Sequence, residues 1–311
     1  MAKQSLEFGL LLPSREALLW ADSNLALLVD TARFAEQAGY DSVWAGDSLL
    51  ARPRGEPISL LSAVAGATTR VRLGTAVLLP LLRHPLSLAH AIATLDRISK
   101  GRLILGIGPG AELPGTHAEL AAIGVPSDHR IATMLDTIAR CRKLWRGEEP
   151  GIDLQPRPHQ AGGPPIWLGG NGPRMLRETA TNFDGWLPFS PSPDAYASGL
   201  RIVREEAERA GRDPDTLATG VYLTVAIADT AAKAADELDR YMRAYYGVPA
   251  EVMAKAQACH AGTLETAADW FAAYVAAGAR HMVVRLARPG LTDYNDTVKD
   301  VLGAARLVAK A

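Results

Sequence analysis

Residues 71–110 read VRLGTAVLLPLLRHPLSLAHAIATLDRISKGRLILGIGPG. The stretch begins as an apolar strand, passes through a loop with Arg83 and His84, continues as a helix and ends in a second apolar strand followed by glycines. A strand, a helix and a second strand of this kind form a crossover unit whose strands lie parallel. Polar residues and glycines therefore gather past the carboxyl ends of the strands, where parallel α/β proteins place their active sites.

The same order of an alanine-rich helix, a turn and a short apolar strand recurs along the chain. Its copies lie at residues 31–46, 67–79, 94–108, 176–189 and 270–286, and three further apolar runs lie at 8–13, 165–170 and 218–229. Nearly continuous apolar strands are typical of sheets buried on both faces. Eight strand–helix units without a break in composition predict an α/β fold, a (β/α)8 TIM-type barrel forming one domain over residues 1–311. An open doubly wound sheet is the alternative.

The composition limits the function classes. The chain has 311 residues, 48% of them hydrophobic, and a net charge of -1, so charge indicates neither a nucleic-acid partner nor an anionic membrane. Its two cysteines, Cys141 and Cys259, lie far apart in helix-like segments, and their spacing predicts no metal site. The chain shows no apolar run long enough for a membrane span and no secretory signal, which predicts a cytoplasmic protein.

Two glycine-rich segments are candidates for binding a phosphate. The first, LGIGPGAE (105–112), differs from the dinucleotide-binding fingerprint G-x-G-x-x-G, because its glycines are each two residues apart. The second, WLGGNGPRMLRET (167–179), runs from a strand into glycines, and Pro173 occupies a typical first helical position. Glycines let backbone amides converge on an anion, and a helix start adds unpaired N–H groups. The sequence favours the second segment, with a tight turn that binds no ligand as the alternative.

Several ordered motifs make the chain resemble a known group of proteins. They are GYDSVWAGDSLL (39–50), RVRLGTAVLLPLLRHP (70–85), ATLDRISKGRLILGIGPG (93–110), GVPSDHR (124–130) and PPIWLGGNGPRMLRETATNFDGWLPF (164–189). With these motifs the chain resembles the bacterial-luciferase-like superfamily of flavin- or deazaflavin-dependent oxidoreductases. The resemblance implies a barrel whose carboxyl-end mouth holds the ring of FMN or coenzyme F420. It also implies a homodimer and a small-molecule substrate.

The resemblance also implies which residues contact the cofactor. The phosphate is expected at the loop after the fifth strand, the ring edge at the end of strand two, and a non-proline cis peptide beneath the ring in strand three. The phosphate loop is then Gly169, Gly170, Asn171 and Gly172, and Asp47 lies at the ring edge. The cis peptide is expected at Thr75, Ala76 and Val77, and Gly108 belongs to the neighbouring rim. The F420-dependent sugar-phosphate dehydrogenases have a histidine and a glutamate where this chain has Ser48 and Ala111, so a close match to them is not expected.

Three side chains at the predicted mouth are the catalytic candidates. Glu112 either donates a proton or contacts the substrate, or it is a solvated surface carboxylate. His84 either acts in catalysis or holds its loop, and Asp47 borders the ring. Other polar residues expected at the mouth are Arg15, Glu16, Arg52, Arg54, Arg83, His117 and Arg285.

A segment at about 229–265 is predicted to insert helices before the last strand. Its aromatic residues, Tyr245 and Tyr246 among them, form either an ordinary packed helix face or, by hypothesis, a lid or pocket wall over an apolar or aromatic substrate. The predicted function is hydride transfer or monooxygenation with a reduced flavin or deazaflavin, since such a cofactor carries the chemistry. Two alternatives remain open. One is a catalytically inactive FMN- or F420-binding protein. The other is a phosphate-binding barrel lyase or isomerase that uses Asp47 and Glu112 as acid and base.

Overall fold

The structure, a computed structural model, describes residues 5–21 and 23–308. Its strands, all parallel to their neighbours, are β1 (Glu7–Leu11), β2 (Ser42–Ala45), β3 (Arg72–Thr75), β4 (Leu103–Ile107), β5 (Ile166–Leu168), β6 (Gly185–Trp186), β7 (Ala218–Ile227), β8 (Cys259–Gly262) and β9 (His281–Leu286). β1 to β7 and β9 pair in sequence order, and the pairing of β9 with β1 closes the ring. The predicted (β/α)8 barrel is confirmed, and the open sheet is excluded.

Helices follow most of the strands. They are α1 (Glu16–Trp20), α2 (Ala26–Ala38), α3 (Pro57–Ala67), α4 (Pro85–Ile98), α5 (Pro114–Ala122), α6 (Arg130–Arg146), α7 (Pro173–Asn182), α8 (Pro193–Arg209), α9 (Ala231–Tyr246), α10 (Ala250–Met253), α11 (Leu264–Ala276) and α12 (Tyr294–Val308). None of these helices combines the length and the apolar character that crossing a membrane requires.

The insertion before the last barrel strand contains a strand as well as the expected helices. β8 lies outside the barrel and pairs with the end of β7, with Thr224 opposite Cys259. The expectation that Cys259 belongs to a helix is therefore wrong, because pairing with β7 draws this segment into the sheet. Cys141 does lie in a helix, α6, and is buried there.

Two tryptophans fill the interior of the barrel, and glycines on neighbouring strands make room for them. Trp44 and Trp167 are both buried, with ring centroids 5.5 Å apart. A Cβ atom added at Gly74 would lie 2.1 Å from Cε3 of Trp44, and one added at Gly9 would lie 2.3 Å from its Nε1. The indole ring of Trp44 therefore packs where two other strands present no side chain.

A polar network closes the amino end of the barrel. It consists of Glu7, Ser42, Arg72 and His281, the first residues of four strands. His281 is 2.8 Å from Ser42 Oγ through Nε2 and 2.8 Å from Glu7 Oε2 through Nδ1, and Arg72 also pairs with Glu7. Burial lowers the pKa of His281 to about 3, and nearby Arg72 acts in the same direction. His281 is thus neutral in the folded protein at neutral pH. The cavity described below lies at the opposite end of the barrel.

Candidate active site

A cavity of about 570 Å³ lies at the carboxyl ends of the barrel strands. Its wall consists of the loops that follow β2, β3 and β4, part of α5, Phe189 after β6, the insertion that carries α9 and α10, and two strand residues, Tyr222 and Arg285. This volume falls in the range of small-molecule sites, about 300–1,000 Å³. The cavity therefore occupies the edge at which barrel enzymes bind their ligands.

Ala76 and Val77, which follow β3, form part of the cavity wall. The peptide bond between them is cis, at the position that the resemblance implies. The amide of Ala76 donates to the carbonyl of Ala45 at 2.8 Å. Thr75 lies fully buried behind them, where its hydroxyl donates to the carbonyl of Gly106 at 2.7 Å. Of the three residues expected beneath the cofactor ring, two line the cavity.

Val77 also contacts two glycines of the expected cofactor site. A Cβ atom at Gly108 would lie 2.8 Å from Cγ2 of Val77, and one at Gly169 would lie 3.4 Å from its Cγ1. A side chain at Gly108 would therefore displace Val77. Because Gly108 and Gly169 have no side chains, the loops after β4 and β5 can approach Val77 in the cavity wall.

The rest of the glycine loop leads from β5 into α7. Gly170 has a φ of 113°, which favours glycine, and its carbonyl accepts a hydrogen bond from Trp186 Nε1 at 2.9 Å. The amide of the Asn171 side chain donates to the carbonyl of Phe189, a residue that lines the cavity. Gly172 is the N-cap of α7 and provides no side-chain acceptor for the first-turn amides. These N–H groups, together with the positive end of the helix dipole, suit an anion.

Asp47 lies beside the cavity with its carboxylate already engaged. Its Oδ2 accepts from Nη1 of Arg83 at 2.6 Å and from the amide of Leu79 at 3.0 Å, while Oδ1 accepts from Nη2 of Arg83 at 3.1 Å. Arg83 also binds Glu56 at 2.7 Å. In this geometry Asp47 fixes the segment after β3, which carries Ala76 and Val77.

Glu112 lines the outer part of the cavity. Its side chain pairs with Arg130 and with Nε2 of His117, the latter at 2.6 Å. The bond from Arg130, followed by the smaller effect of His117, lowers the pKa of Glu112. Because the carboxylate is ionised at neutral pH, it is better suited to holding these two partners than to donating a proton.

His84 lies at the start of α4. Its Nδ1 accepts a hydrogen bond from the amide of Leu86 at 3.3 Å, so the imidazole caps the helix. His84 is not among the described residues that line the cavity. The capping interaction matches the alternative in which His84 holds its loop.

Glu119 is a cavity residue that sequence reasoning did not single out. It lies on α5, is 1% exposed, and accepts hydrogen bonds from the hydroxyl of Ser48 at 2.9 Å and the amide of Leu50 at 2.7 Å. The amide of Leu49 binds the same oxygen. Glu119 thus fixes the loop after β2. No local signal marks it, because its role depends on a loop about 70 residues away.

The insertion contributes an aromatic wall. Tyr245 and Tyr246 of α9 line the cavity with Tyr222 of β7, another residue that sequence reasoning did not single out. Burial raises the pKa values of Tyr222 and Tyr246, so both phenols keep their protons at neutral pH. Among residues 5–21 and 23–308, no group of three His, Cys, Asp or Glu side chains is arranged to hold a metal ion.

These features define a (β/α)8 barrel protein with a cavity of small-molecule size at the carboxyl ends of its strands. The sequence profile of the luciferase-like monooxygenase family matches residues 6–281. The chain belongs to this family, as the motifs indicate.

Known proteins similar to this chain are reductases and monooxygenases. The 5,10-methylenetetrahydromethanopterin reductase of Methanolobus tindarius is 32% identical over 210 residues, which are 65% of this chain and 62% of that protein. The chain spans about half to three-fifths of the length of the curated relatives it matches.

Two solved structures share the fold. The coenzyme F420 dependent tetrahydromethanopterin reductase of Methanopyrus kandleri has a TM-score of 0.71 and 20% identity, covering 96% of this chain and 97% of its own. The oxygenating constituent of 3,6-diketocamphane monooxygenase from Pseudomonas putida, in complex with FMN, has a TM-score of 0.76 and 20% identity, covering 96% of each chain. At these identities the similarity establishes the fold alone.

Proposed function

We propose that this protein is an oxidoreductase that holds FMN or F420 in the barrel mouth and acts on a small organic molecule by hydride transfer or monooxygenation. The observation that carries the proposal is the wall formed by Ala76 and Val77 in a cavity of about 570 Å³, with Gly108 and Gly169 packed against Val77. Membership of the luciferase-like monooxygenase family supports it. One structural neighbour depends on F420 and another was solved with FMN.

The described residues fit such a cofactor. The flat ring would lie on the backbone of Ala76 and Val77, with Asp47 beside it holding that backbone in place. The phosphate would lie at Gly169–Gly172, where α7 begins without a side-chain cap. Bound there, the cofactor supplies the redox chemistry, either hydride transfer or activation of dioxygen.

The protein's own side chains would exclude water and hold protons. We propose that the insertion at about 229–265 is a lid, since Tyr245 and Tyr246 of α9 form one wall of the cavity. The lid is fastened to the barrel by Arg15, whose Nη2 donates to the carbonyl of Tyr245 at 3.3 Å. The hydroxyl of Tyr246 donates to Gln257 Oε1 at 3.1 Å and accepts from Arg285 at 2.7 Å, so it is a fixed polar group that faces the substrate.

The cofactor assignment is tested by titrating the cofactor-free protein with FMN and then with F420 in a calorimeter. We expect one of the two to bind with a stoichiometry near one per chain. Binding of neither would contradict the proposal and favour a phosphate-binding lyase or isomerase. Turnover with the reduced cofactor then separates an enzyme from a catalytically inactive binding protein.

The phosphate position is tested at Gly172, whose Cβ position is open and whose φ of -69° any residue adopts. Gly172→Asp places a carboxylate at the expected phosphate and also provides a good N-cap for α7. We expect cofactor affinity to fall at least about tenfold while the free energy of unfolding stays equal or rises. Gly172→Asn, a neutral control of the same shape, should weaken binding much less. Equal affinities of the two variants would place the phosphate elsewhere.

The homodimer and the cytoplasmic location stay predictions. The dimer is tested by light scattering, in which a monomer at micromolar concentration would contradict it.

A further inference from the structure

Arg285 is a charged residue of the cavity wall. It belongs to β9, is 2% exposed and lines the cavity with its side chain. The rings of four tyrosines surround its guanidinium carbon, with centroids at 4.7–5.6 Å; they are Tyr222, Tyr241, Tyr245 and Tyr246. Aromatic faces attract a cation, which explains how the charge is tolerated in so buried a place.

The hydrogen bonds of Arg285 leave part of the guanidinium unused. Its Nε and Nη2 donate to Thr224 Oγ1 at 3.2 and 2.9 Å, and its Nη1 donates to the hydroxyl of Tyr246 at 2.7 Å. A guanidinium has five N–H groups, so two remain, one on each terminal nitrogen. No carboxylate among residues 5–21 and 23–308 lies within the 4.0 Å of an ion pair with this side chain.

The acidic groups at this end of the barrel are engaged by other partners. Among the described residues they include Asp47 and Glu56 with Arg83, Glu112 with Arg130, Glu119 with the amides of Leu49 and Leu50, and Glu16 with the hydroxyl of Tyr241. Tyr222, Tyr241 and Tyr246 do not supply a negative charge either, because burial raises the pKa of each phenol and keeps it protonated. Arg285 is therefore a buried cation that faces the cavity and has no ion-pair partner among the described carboxylates. Buried charges in folded proteins are usually paired.

We propose that Arg285 recognises a carboxylate of the substrate, which is accordingly an organic anion with an apolar or aromatic body. The two remaining N–H groups match the two oxygens of a carboxylate, the planar group that arginine binds in a forked manner. This proposal rests on the proposed function in one respect, namely that the ligand at Arg285 is the substrate and not the cofactor.

The surroundings of Arg285 match the rest of such a molecule. The cavity wall around it is largely apolar and aromatic, formed by residues such as Val77, Leu79, Phe189, Tyr222, Val248 and Met253. A body that stacks on tyrosine faces gains from burial, while the carboxylate removes the unpaired charge. A neutral analogue of equal shape would leave Arg285 unpaired.

The test compares acids with their amides. Benzoate, cinnamate and 2-naphthoate, each with its carboxamide, are titrated into the cofactor-free protein, and dissociation constants are measured by calorimetry or ligand-observed NMR. We expect at least one acid to bind tenfold or more tightly than its amide. If no acid of the panel binds more tightly than its amide, the proposal is overturned.

Variants assign the preference to one side chain. In Arg285→Met the acid and its amide should bind with affinities within about twofold of each other. Arg285→Lys keeps the charge but cannot form two parallel hydrogen bonds to a carboxylate, so it should lower the wild-type ratio of acid to amide affinity at least threefold. The control is Arg288→Met, because Arg288 is a partly exposed neighbour 3.9 Å from Glu237, and this variant should keep the wild-type ratio. If Arg285→Met does not fold, Arg285→Lys carries the test. An undiminished ratio in a folded Arg285 variant would overturn the assignment.

A competition experiment separates substrate from cofactor. The preferred acid is titrated into protein saturated with whichever of FMN and F420 binds, and we expect its affinity to stay within about twofold. If the acid and the cofactor exclude each other, the ligand of Arg285 is the cofactor, and the assignment to the substrate is overturned. If neither cofactor binds, the proposed function fails, yet the acid-to-amide ratio of the cofactor-free protein still tests anion recognition.

Discussion

Asp47 and Arg83 show how single side chains set the shape of the cavity. Both carboxylate oxygens of Asp47 accept hydrogen bonds from Arg83. The side chain of Asp47 is 2% exposed and that of Arg83 is 16% exposed. The pair connects the ends of β2 and β3, and the bond from the amide of Leu79 ties the intervening backbone to it. The importance of this pair is therefore positional: it holds the wall against which a ligand would lie.

Removing Asp47 is expected to destabilise the protein. Asp47→Ala leaves Arg83 largely buried with Glu56 as its remaining partner, so the free energy of unfolding should fall by about 3 kcal/mol in urea titrations. Asp30→Ala is the matched control, because Asp30 forms an exposed ion pair with Arg33, and it should cost less than about 1 kcal/mol. A smaller loss for Asp47→Ala than for Asp30→Ala would contradict this account.

The sequence marked some of these residues and could not mark others. Asp47 and Arg83 each follow an apolar strand, so their place at the mouth can be predicted from order along the chain. Glu119 lies within a helix, where nothing local tells which loop its carboxylate will meet. Tyr222 sits inside a long apolar strand, and only the closed barrel decides that its ring faces the cavity.

Among the elements, the barrel strands were predictable and β8 was not. The barrel strands consist largely of apolar residues, and almost all of their residues are buried. β8 reads CHAG and is only half-buried apart from Gly262, so it carries no apolar signal. It is a strand because its backbone pairs with β7, more than 30 residues earlier in the chain. Such a long-range partner is not visible in a local pattern.

The contact between β3 and β4 gives a prediction at Gly106. A Cβ atom there would lie 2.0 Å from the carbonyl oxygen of Thr75, so Gly106→Ala must move backbone next to Ala76. We expect a loss of about 3 kcal/mol in the free energy of unfolding and weaker cofactor binding.

The control for this prediction is Gly66→Ala. Gly66 lies in α3, and no atom outside its own helix backbone is within 4 Å of its Cβ position, so the substitution should raise stability by up to about 1 kcal/mol. If both alanine variants had the same stability as the wild type, the tight approach of the two strands would be refuted.

At the scale of the whole molecule, the two ends of the barrel differ in chemistry. The amino end is closed by His281, which is hydrogen-bonded to Ser42 and Glu7. The centroid of its imidazole ring lies 5.4 Å from that of Trp44 and 5.2 Å from that of Trp167. The carboxyl end carries the cavity. The sequence predicts which end is functional, because parallel strands share one direction, but which substrate fits depends on how α9 packs over the mouth.

The neutral His281 predicts that stability depends on pH. Its pKa is lowered to about 3 by burial, whereas an unfolded histidine has a pKa of about 6.5. Between these values the unfolded chain binds the proton and the folded chain does not. The free energy of unfolding should therefore fall as the pH drops from about 6.5 towards 3, by up to about 1.4 kcal/mol per unit.

Urea unfolding from pH 7 to pH 4 measures this dependence. His281→Gln should be less stable than the wild type at pH 7 but should lose less stability on acidification. His90→Gln, which changes an exposed histidine of α4, should follow the wild-type curve. Parallel curves for the wild type and His281→Gln would show that His281 does not contribute.

The pairing of β7 with β8 has a consequence for how this protein can diversify. The insertion begins after Ile227, the last residue of β7, and its strand β8 ends at Gly262, which is paired with Ile227. The two ends of the insertion therefore lie side by side at the rim of the barrel, while Arg15 and Arg285 contact the helix α9 between them. A segment of another length could replace the residues between Ile227 and Gly262 without changing the strand pairs that close the barrel. Substrate specificity can therefore change while the barrel stays the same.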